Sequence, residues 1–407
     1  MKILAISAEL PFPPVGGGRL RIYHWLKALS SRHEVTLVAF TFDHEVDATW
    51  PFSLNVICVP WKQPPLYCQM DSDDTLVASR AFEILRDEIT EPWYASYFES
   101  VAAEQIVRQE VSKGIDLVLF EDSDMARFNS VIPEEIPRVL DFQNVYSLIA
   151  QRAAAAKSGE ELRVAQREAR RTVAFERAVA SKCELCLVCS ESEATAVKDL
   201  LGVERVAVLP NGVDTTFFSP WSTSSLSGAL LFTGSMNYQP NIEAVDYFVA
   251  EILPLIHRRR PDVVLHVVGK NPGKELQQLR SETVVIHGDV PDMRPYFAEA
   301  EIFVAPILSG GGTRLKILEA AASAKPIITT TLGAEGLDFH PEEDIIIADS
   351  PDVFADSVVR LLDDRERQSV LGRNARRASF PYEWRKLESS FCEFIQETAM
   401  KTAALRR

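Results

Sequence analysis

Residues Ser309–Glu319 read SGGGTRLKILE. The apolar run Ile302–Ile307 before them reads as a buried strand, and the Ala-rich stretch Ile317–Ala324 reads as a helix. Strand, glycine loop and helix in that order leave backbone N–H groups free at a helix N-terminus, where an anion can be held. Gly310, Gly311 and Gly312 allow positive φ and close approach to the backbone. Arg314 and Lys316 put two positive charges in the expected first turn, where the helix dipole disfavours cations. A bound diphosphate would reverse that cost. Glu319 follows one to two turns later, within reach of a hydroxyl of the same ligand. No Gly-Lys-Ser/Thr follows at P-loop spacing, and the stretch is not GxGxxG. The competing reading is a glycine turn leading into an ordinary surface helix with Glu319 solvated.

Working outward, the second half of the chain alternates strand and helix. Leu230–Thr233 reads as a strand ending in GSMNYQPN, followed by a helix over Ile242–His257. Strand Val263–Val268 ends in GKNP, strand Thr283–Ile286 in HGDVPDM, and strand Pro326–Thr331 in LGAEGLD. The first half shows the same alternation. Lys2–Ser7 is a strand that runs into LPFPPVGGGRLR and a helix through Tyr23, Leu26 and Leu29. Gly16, Gly17 and Gly18 thus sit outside a strand's carboxyl end, where open α/β sheets bind ligands. Val35–Phe40, Leu54–Val59, Ile115–Phe120 and Val139–Phe142 read as further strands, the third ending at Glu121 and the fourth at Gln143. The Ser-rich segment Trp221–Gly228 reads as a linker. The expected fold class is α/β, two doubly wound domains facing a cleft: residues 1–220, residues 221–382, and a C-terminal helix at 383–407 that could pack back on the first domain through Leu387, Phe391, Phe394 and Ile395.

Length and composition bound the function. At 407 residues, with 46% hydrophobic and 25% charged residues, the chain is ordinary for a soluble globular protein. A net charge of −15 argues against nucleic acid as a partner. No apolar run approaches the roughly 20 residues of a membrane span, and the N-terminus reads as a first strand, not a signal peptide, so a cytoplasmic location is expected. Cys183, Cys186 and Cys189 form CxxCxxC, but in an apolar strand-like run without a nearby fourth ligand, so they are expected buried and reduced.

Tyr146–Ser181 is Ala-rich and proline-free and reads as one long helix carrying Arg152, Lys157, Arg163, Arg167, Arg170, Arg171 and Arg177. It is either a solvated face or a contact for an acidic membrane surface, the inner face of a membrane included. Asp71-Ser-Asp73 and Asp122-Ser-Asp124 match an Asp-x-Asp metal pattern. The first lies in a polar loop and the two-domain alternation does not suit a metal-dependent fold, so no metal and no cofactor are assigned. His287 and Asp289 are the one close acid/base pair of the second half.

With GGG at 16–18, PNGVD at 210–214, GSMNYQPN at 234–241, GGGTRLKILEAAA at 310–322 and TLGAEGLD at 331–338, the chain resembles the family-four (group 1) glycosyltransferases, retaining enzymes of GT-B fold. It is most similar to bacterial members that build exopolysaccharides or glycolipids. The resemblance spans essentially the whole chain. It implies metal-independent transfer from a nucleotide-diphosphate sugar to a sugar, lipid-linked or small-molecule acceptor, with retention of configuration. It implies donor contacts at Gly16, Gly17, Gly18, Gly234, Ser235, Lys270, Gly311, Gly312, Thr313, Arg314 and Lys316, and a ribose contact at Glu319. Three departures stand out. The family's first glutamate falls on Gly311, and the Arg and Lys common after the second domain's first strand are missing from GSMNYQPN, leaving Arg314 and Lys316 to supply the charge. A His common at position 143 is here Gln143, which cannot act as acid or base near neutrality; Gln143 and Glu121 remain the catalytic candidates. The alternatives are a non-catalytic nucleotide-sugar-binding partner, or an epimerase or phosphorylase on the same fold.

Overall fold

A computed structural model describes residues 1–42, 49–62, 91–221, 225–236 and 238–405. Asp71 and Asp73 lie outside them. The chain divides into two compact units, one of Met1–Leu209 with Glu388–Arg407 and one of Pro210–Leu387. The PNGVD stretch belongs to the second, where the Val213 N–H donates to Tyr382 O at 2.8 Å.

The first unit holds a seven-stranded parallel sheet in the order β3-β2-β1-β4-β5-β6-β7. The strands are β1 Lys2–Ser7, β2 Glu34–Thr41, β3 Asn55–Pro60, β4 Leu117–Glu121, β5 Arg138–Asp141, β6 Leu185–Val188 and β7 Val206–Val208. All five residues of β4 and all four of β5 are buried, as a parallel sheet covered on both faces requires. Helix α1 (Gly17–Ser30) follows β1, and α2 (Val101–Val111) precedes β4.

The single helix expected over Tyr146–Ser181 is two, α3 (Tyr146–Ala155) and α4 (Gly159–Ala180), packed on each other. Ser158 is extended and Gly159 has φ +60°, a left-handed step that ends one helix and starts the next. Absence of proline had suggested continuity; the Ser-Gly pair is what breaks it.

The second unit repeats the topology with six parallel strands in the order β10-β9-β8-β11-β12-β13. These are β8 Ala229–Ser235, β9 Val264–Lys270, β10 Val284–Gly288, β11 Ile302–Ala305, β12 Ile327–Thr329 and β13 Ile346–Ile347. The helix expected over Ile242–His257 starts earlier, as α5 (Gln239–Tyr247), and passes through a π turn at Phe248–Ile252 before a short helix at Leu253–His257. Pro254 cannot donate to the turn before it, which explains the change of register.

Helix α6 spans Leu315–Ala322, not Ile317–Ala324. Arg314 is therefore its N-cap and not part of the first turn, and Ala324, at φ +55°, lies beyond its end. Helices α7 (Pro351–Asp363), α8 (Arg365–Ser379) and α9 (Trp384–Leu405) complete the chain.

In both sheets the strand order reverses next to the unit's first strand, between β1 and β4 and between β8 and β11. Loops leaving the carboxyl ends of those two strands diverge to opposite faces and open a crevice. In the second unit that crevice is bordered by Gly234–Ser235 and by Ile307–Gly312.

Candidate active site

The glycine loop after β11 is shaped by two left-handed residues, Gly310 at φ +94° and Gly312 at φ +73°. Arg314 folds back over the loop. Its Nη1 donates to Gly311 O at 2.6 Å and its Nη2 to Ser309 O at 3.4 Å. These bonds take up the loop's carbonyls. The N–H groups of Gly310, Gly311 and Gly312 donate to no acceptor among the described residues. Three consecutive free N–H groups before a helix N-terminus form an anion-binding concavity. Thr313 is buried beneath the loop.

Lys316 and Glu319 lie at i and i+3 on α6 and so share a face. Both are half-buried. Burial, with the Arg314 charge adding to it, pulls the Lys316 ammonium down to about 7. Burial pushes the Glu319 carboxyl up to about 7, against the pull of Lys316. Lys316 Nζ donates to Asn241 Oδ1 and sits 4.2 Å from the centroid of the Phe232 ring. Asn241 Nδ2 donates in turn to Ser235 O at 2.8 Å, tying α5 to the end of β8. Gly234 leaves room for this contact: a Cβ there would stand 2.7 Å from Asn241 Nδ2 and 2.9 Å from Lys316 Nζ. The carboxylate of Glu319 accepts no hydrogen bond among the described residues.

Of the residues named from sequence, Gly234, Ser235, Gly311, Gly312, Thr313, Arg314, Lys316 and Glu319 thus border one crevice of the second unit. Lys270 pairs in register with Ser235 at the end of β9 and is exposed. Asn241, Phe232, Tyr238 and Glu243 were missed. Asn241 carried a weak signal, an Asn directly after the Pro240 that opens α5.

Gly16, Gly17 and Gly18 belong to the first unit. Gly16, at φ +96°, is the N-cap of α1, and a Cβ on Gly18 would lie 3.8 Å from Gln143 Oε1. Gln143 and Glu121 are brought together: Gln143 Nε2 donates to Glu121 Oε2 and to Asp141 Oδ2, each at 3.3 Å. Burial, and then the Asp141 charge, raise the Glu121 carboxyl well above its ordinary value. Asp141 is paired with Arg21 at 2.8 and 2.6 Å and accepts the Trp25 Nε1–H at 2.9 Å. Sequence reasoning missed Arg21, because nothing in GGGRLR marks it as fully buried.

Asp122-Ser-Asp124 is built into the packing of α3. The Tyr146 hydroxyl donates to Asp122 at 3.1 Å, and Glu176 accepts the N–H groups of Tyr146 at 3.0 Å and Ser147 at 2.9 Å, capping that helix. Among the described residues no group of three or more His, Cys, Asp or Glu side chains is placed to hold a metal ion. His287 and Asp289, weighed as an acid/base pair, turn to other partners. The His287 ring stacks on His266, with Nε2 3.2 Å from His266 Nδ1, and Asp289 accepts the Asn271 N–H at 3.1 Å. Cys183, Cys186 and Cys189 are buried, each thiol facing a backbone carbonyl.

Comparison with known proteins follows this division. A model of Glycosyltransferase Family 4 matches residues 15–217, and one of Glycosyl transferases group 1 matches residues 227–364. An uncharacterized 44.6 kDa protein in the cps region of Klebsiella pneumoniae is 21% identical over 377 residues, covering 88% of this chain and 90% of its own. Sucrose-phosphate synthase from Thermosynechococcus elongatus superposes with a TM-score of 0.71 at 16% identity, over 98% of this chain and 99% of the other. Anabaena HepE in complex with UDP-glucose gives a TM-score of 0.67 at 14% identity, over 98% and 100%. The two matched segments cover six of the seven strands of the first sheet and all six of the second, and the structural neighbours share the GT-B fold: this chain belongs to the group 1, family 4 glycosyltransferases.

Proposed function

We propose that this glycosyltransferase takes a nucleoside-diphosphate sugar in the second unit and transfers the sugar to a hydroxyl acceptor with retention of configuration and without a metal ion. The observation that carries the donor reading is the three N–H groups of Gly310–Gly312, unengaged among the described residues, next to a half-buried Lys316. Fixed dipoles and cations aimed at a leaving diphosphate stabilise the charge that develops as the glycosidic bond breaks. Glu319, whose carboxylate accepts no hydrogen bond among the described residues, takes the ribose hydroxyls. Uridine is the first base to test, since the neighbour HepE is solved with UDP-glucose.

Retention is what the family resemblance implies. Gln143 carries no titrating proton, and its amide is turned toward Glu121 and Asp141. In this reading the acceptor hydroxyl gives its proton to an oxygen of the departing phosphate as the new C–O bond forms on the face the phosphate leaves. The acceptor is a sugar, a lipid-linked sugar or a small molecule. A membrane-borne acceptor is favoured by α4, where Arg163, Arg167, Arg170 and Arg177 fall within about 40° of one line along the helix. No helix among the described residues is long and apolar enough to cross a membrane. We place the enzyme in the cytoplasm, at the inner face of a membrane when its acceptor is a lipid.

The test is a melting-temperature screen against UDP, GDP, ADP, CDP and TDP and their sugars, then proton NMR of the first product formed. A ligand at 100 times its Kd stabilises by about 2.7 kcal/mol. No shift with any nucleoside diphosphate overturns the donor reading, and an inverted product overturns retention alone.

A further inference from the structure

The donor reading fixes the order of groups along the crevice, and this inference rests on it. With ribose at Glu319 and the diphosphate on Gly310–Gly312 and Lys316, whatever follows the diphosphate falls at the Gly310 end of the loop. Gly311 offers no side chain there. Other elements do. Ser309 Oγ donates to Glu243 Oε2 at 2.5 Å, which brings a carboxylate from the second turn of α5 against the loop. The other Glu243 oxygen accepts no hydrogen bond among the described residues. Tyr238 is 45% exposed, and its hydroxyl comes within 3.0 Å of where a Gly310 Cβ would stand. Pro240 closes the same side at 3.1 Å from that point.

An aromatic face, a carboxylate and a hydroxyl converging on one spot are the groups that recognise a sugar. The ring covers C–H bonds, and the carboxylate accepts from neighbouring hydroxyls in charge-assisted bonds. A carboxylate also repels a second one. We propose that Glu243, held by Ser309 and flanked by Tyr238, recognises the transferred sugar and selects an uncharged sugar over an acidic one. The carboxylate absent at position 311 is supplied from a different helix.

A bond that only tied α5 to the loop would affect every ligand alike, and this separates the two roles. Calorimetric titrations of the parent, Glu243→Gln and Ser309→Ala use UDP, UDP-glucose and UDP-glucuronate. The parent is expected to prefer UDP-glucose to UDP-glucuronate. Glu243→Gln should weaken UDP-glucose by about tenfold, narrow the preference by a similar factor, and leave UDP within about twofold. Ser309→Ala should move UDP-glucose in the same direction by less, and it serves alone if Glu243→Gln does not fold. Equal weakening of UDP and UDP-glucose, or unchanged affinity for both, overturns the inference and leaves the donor reading standing. A parent that does not bind UDP overturns the donor reading for uridine and this inference with it.

Discussion

Replacing Lys316 by Met should make the ligand-free protein more stable while removing its affinity for diphosphate. Burial, reinforced by Arg314, holds the ammonium near 7 against an ordinary 10.5, a gap equivalent to about 5 kcal/mol spent on keeping Lys316 charged in the folded state. The offset is the Asn241 carbonyl oxygen, which loses its donor at a cost of about 1–3 kcal/mol, and the contact with Phe232. The net gain should therefore be about 2–3 kcal/mol. The folded-state value is the lower one, so the penalty is present in full below pH 7. It fades as pH rises from about 7 to 10.5, where the unfolded chain also gives up the proton. Glu319 runs the opposite way with pH. Its folded-state value is raised to about 7, so the cost of its carboxylate grows as pH rises from 4.5 and is full above 7; that cost is larger once Lys316 is gone, which lowers the variant's advantage further at high pH. Urea denaturation at pH 6 and at pH 9.5 measures both limits. The variant should exceed the parent at pH 6 and lose most of that advantage by pH 9.5, while UDP stabilises only the parent. A variant less stable than the parent at pH 6, or an advantage that does not change with pH, refutes the reading of Lys316 as a half-buried cation waiting for an anion.

Glu319→Ala should weaken nucleoside diphosphate binding by one or two charge-assisted hydrogen bonds, about 1.5–3 kcal/mol each, with melting of the ligand-free protein unchanged or raised; an unchanged Kd makes Glu319 an ordinary helix glutamate. Transfer should persist in EDTA, and complete loss restored by Mn²⁺ would contradict the metal-independent reading. Cosedimentation with vesicles should require anionic lipid and fall when Arg163, Arg167 and Arg170 are changed together to Gln; equal binding to neutral vesicles would remove α4 from the account.

The two sheets were legible because buried parallel strands are short apolar runs, and Ile302–Ala305 and Leu117–Glu121 carry little else. The glycine loop between β11 and α6 was legible because three glycines and two cations are local in sequence. What failed was long-range or sterically subtle. Gly159 inside an Ala-rich run looked like a tolerated helix residue and is a left-handed corner. Helix α8, reading RERQSVLGRNARRAS, has so polar a composition that no stripe announced it, although its Gly372 is what lets the backbone lie against Ala324. The Asn241–Lys316 bond joins residues 75 positions apart, and the Ser309–Glu243 bond joins residues 66 apart. Neither separation leaves a trace in spacing or periodicity, so the charge at Lys316 could be read while its burial could not.

Gly234 carries an evolutionary consequence. Its small size serves the reach of an ammonium and not an unusual backbone angle, and the atoms a methyl group would meet are the tips of Asn241 and Lys316, which can move aside. An alanine there would push the cation off its seat without breaking the sheet. A descendant that has lost donor affinity and kept every other feature of the fold is thus one small substitution away. In such families, position 234 is where binding members and silent ones should part.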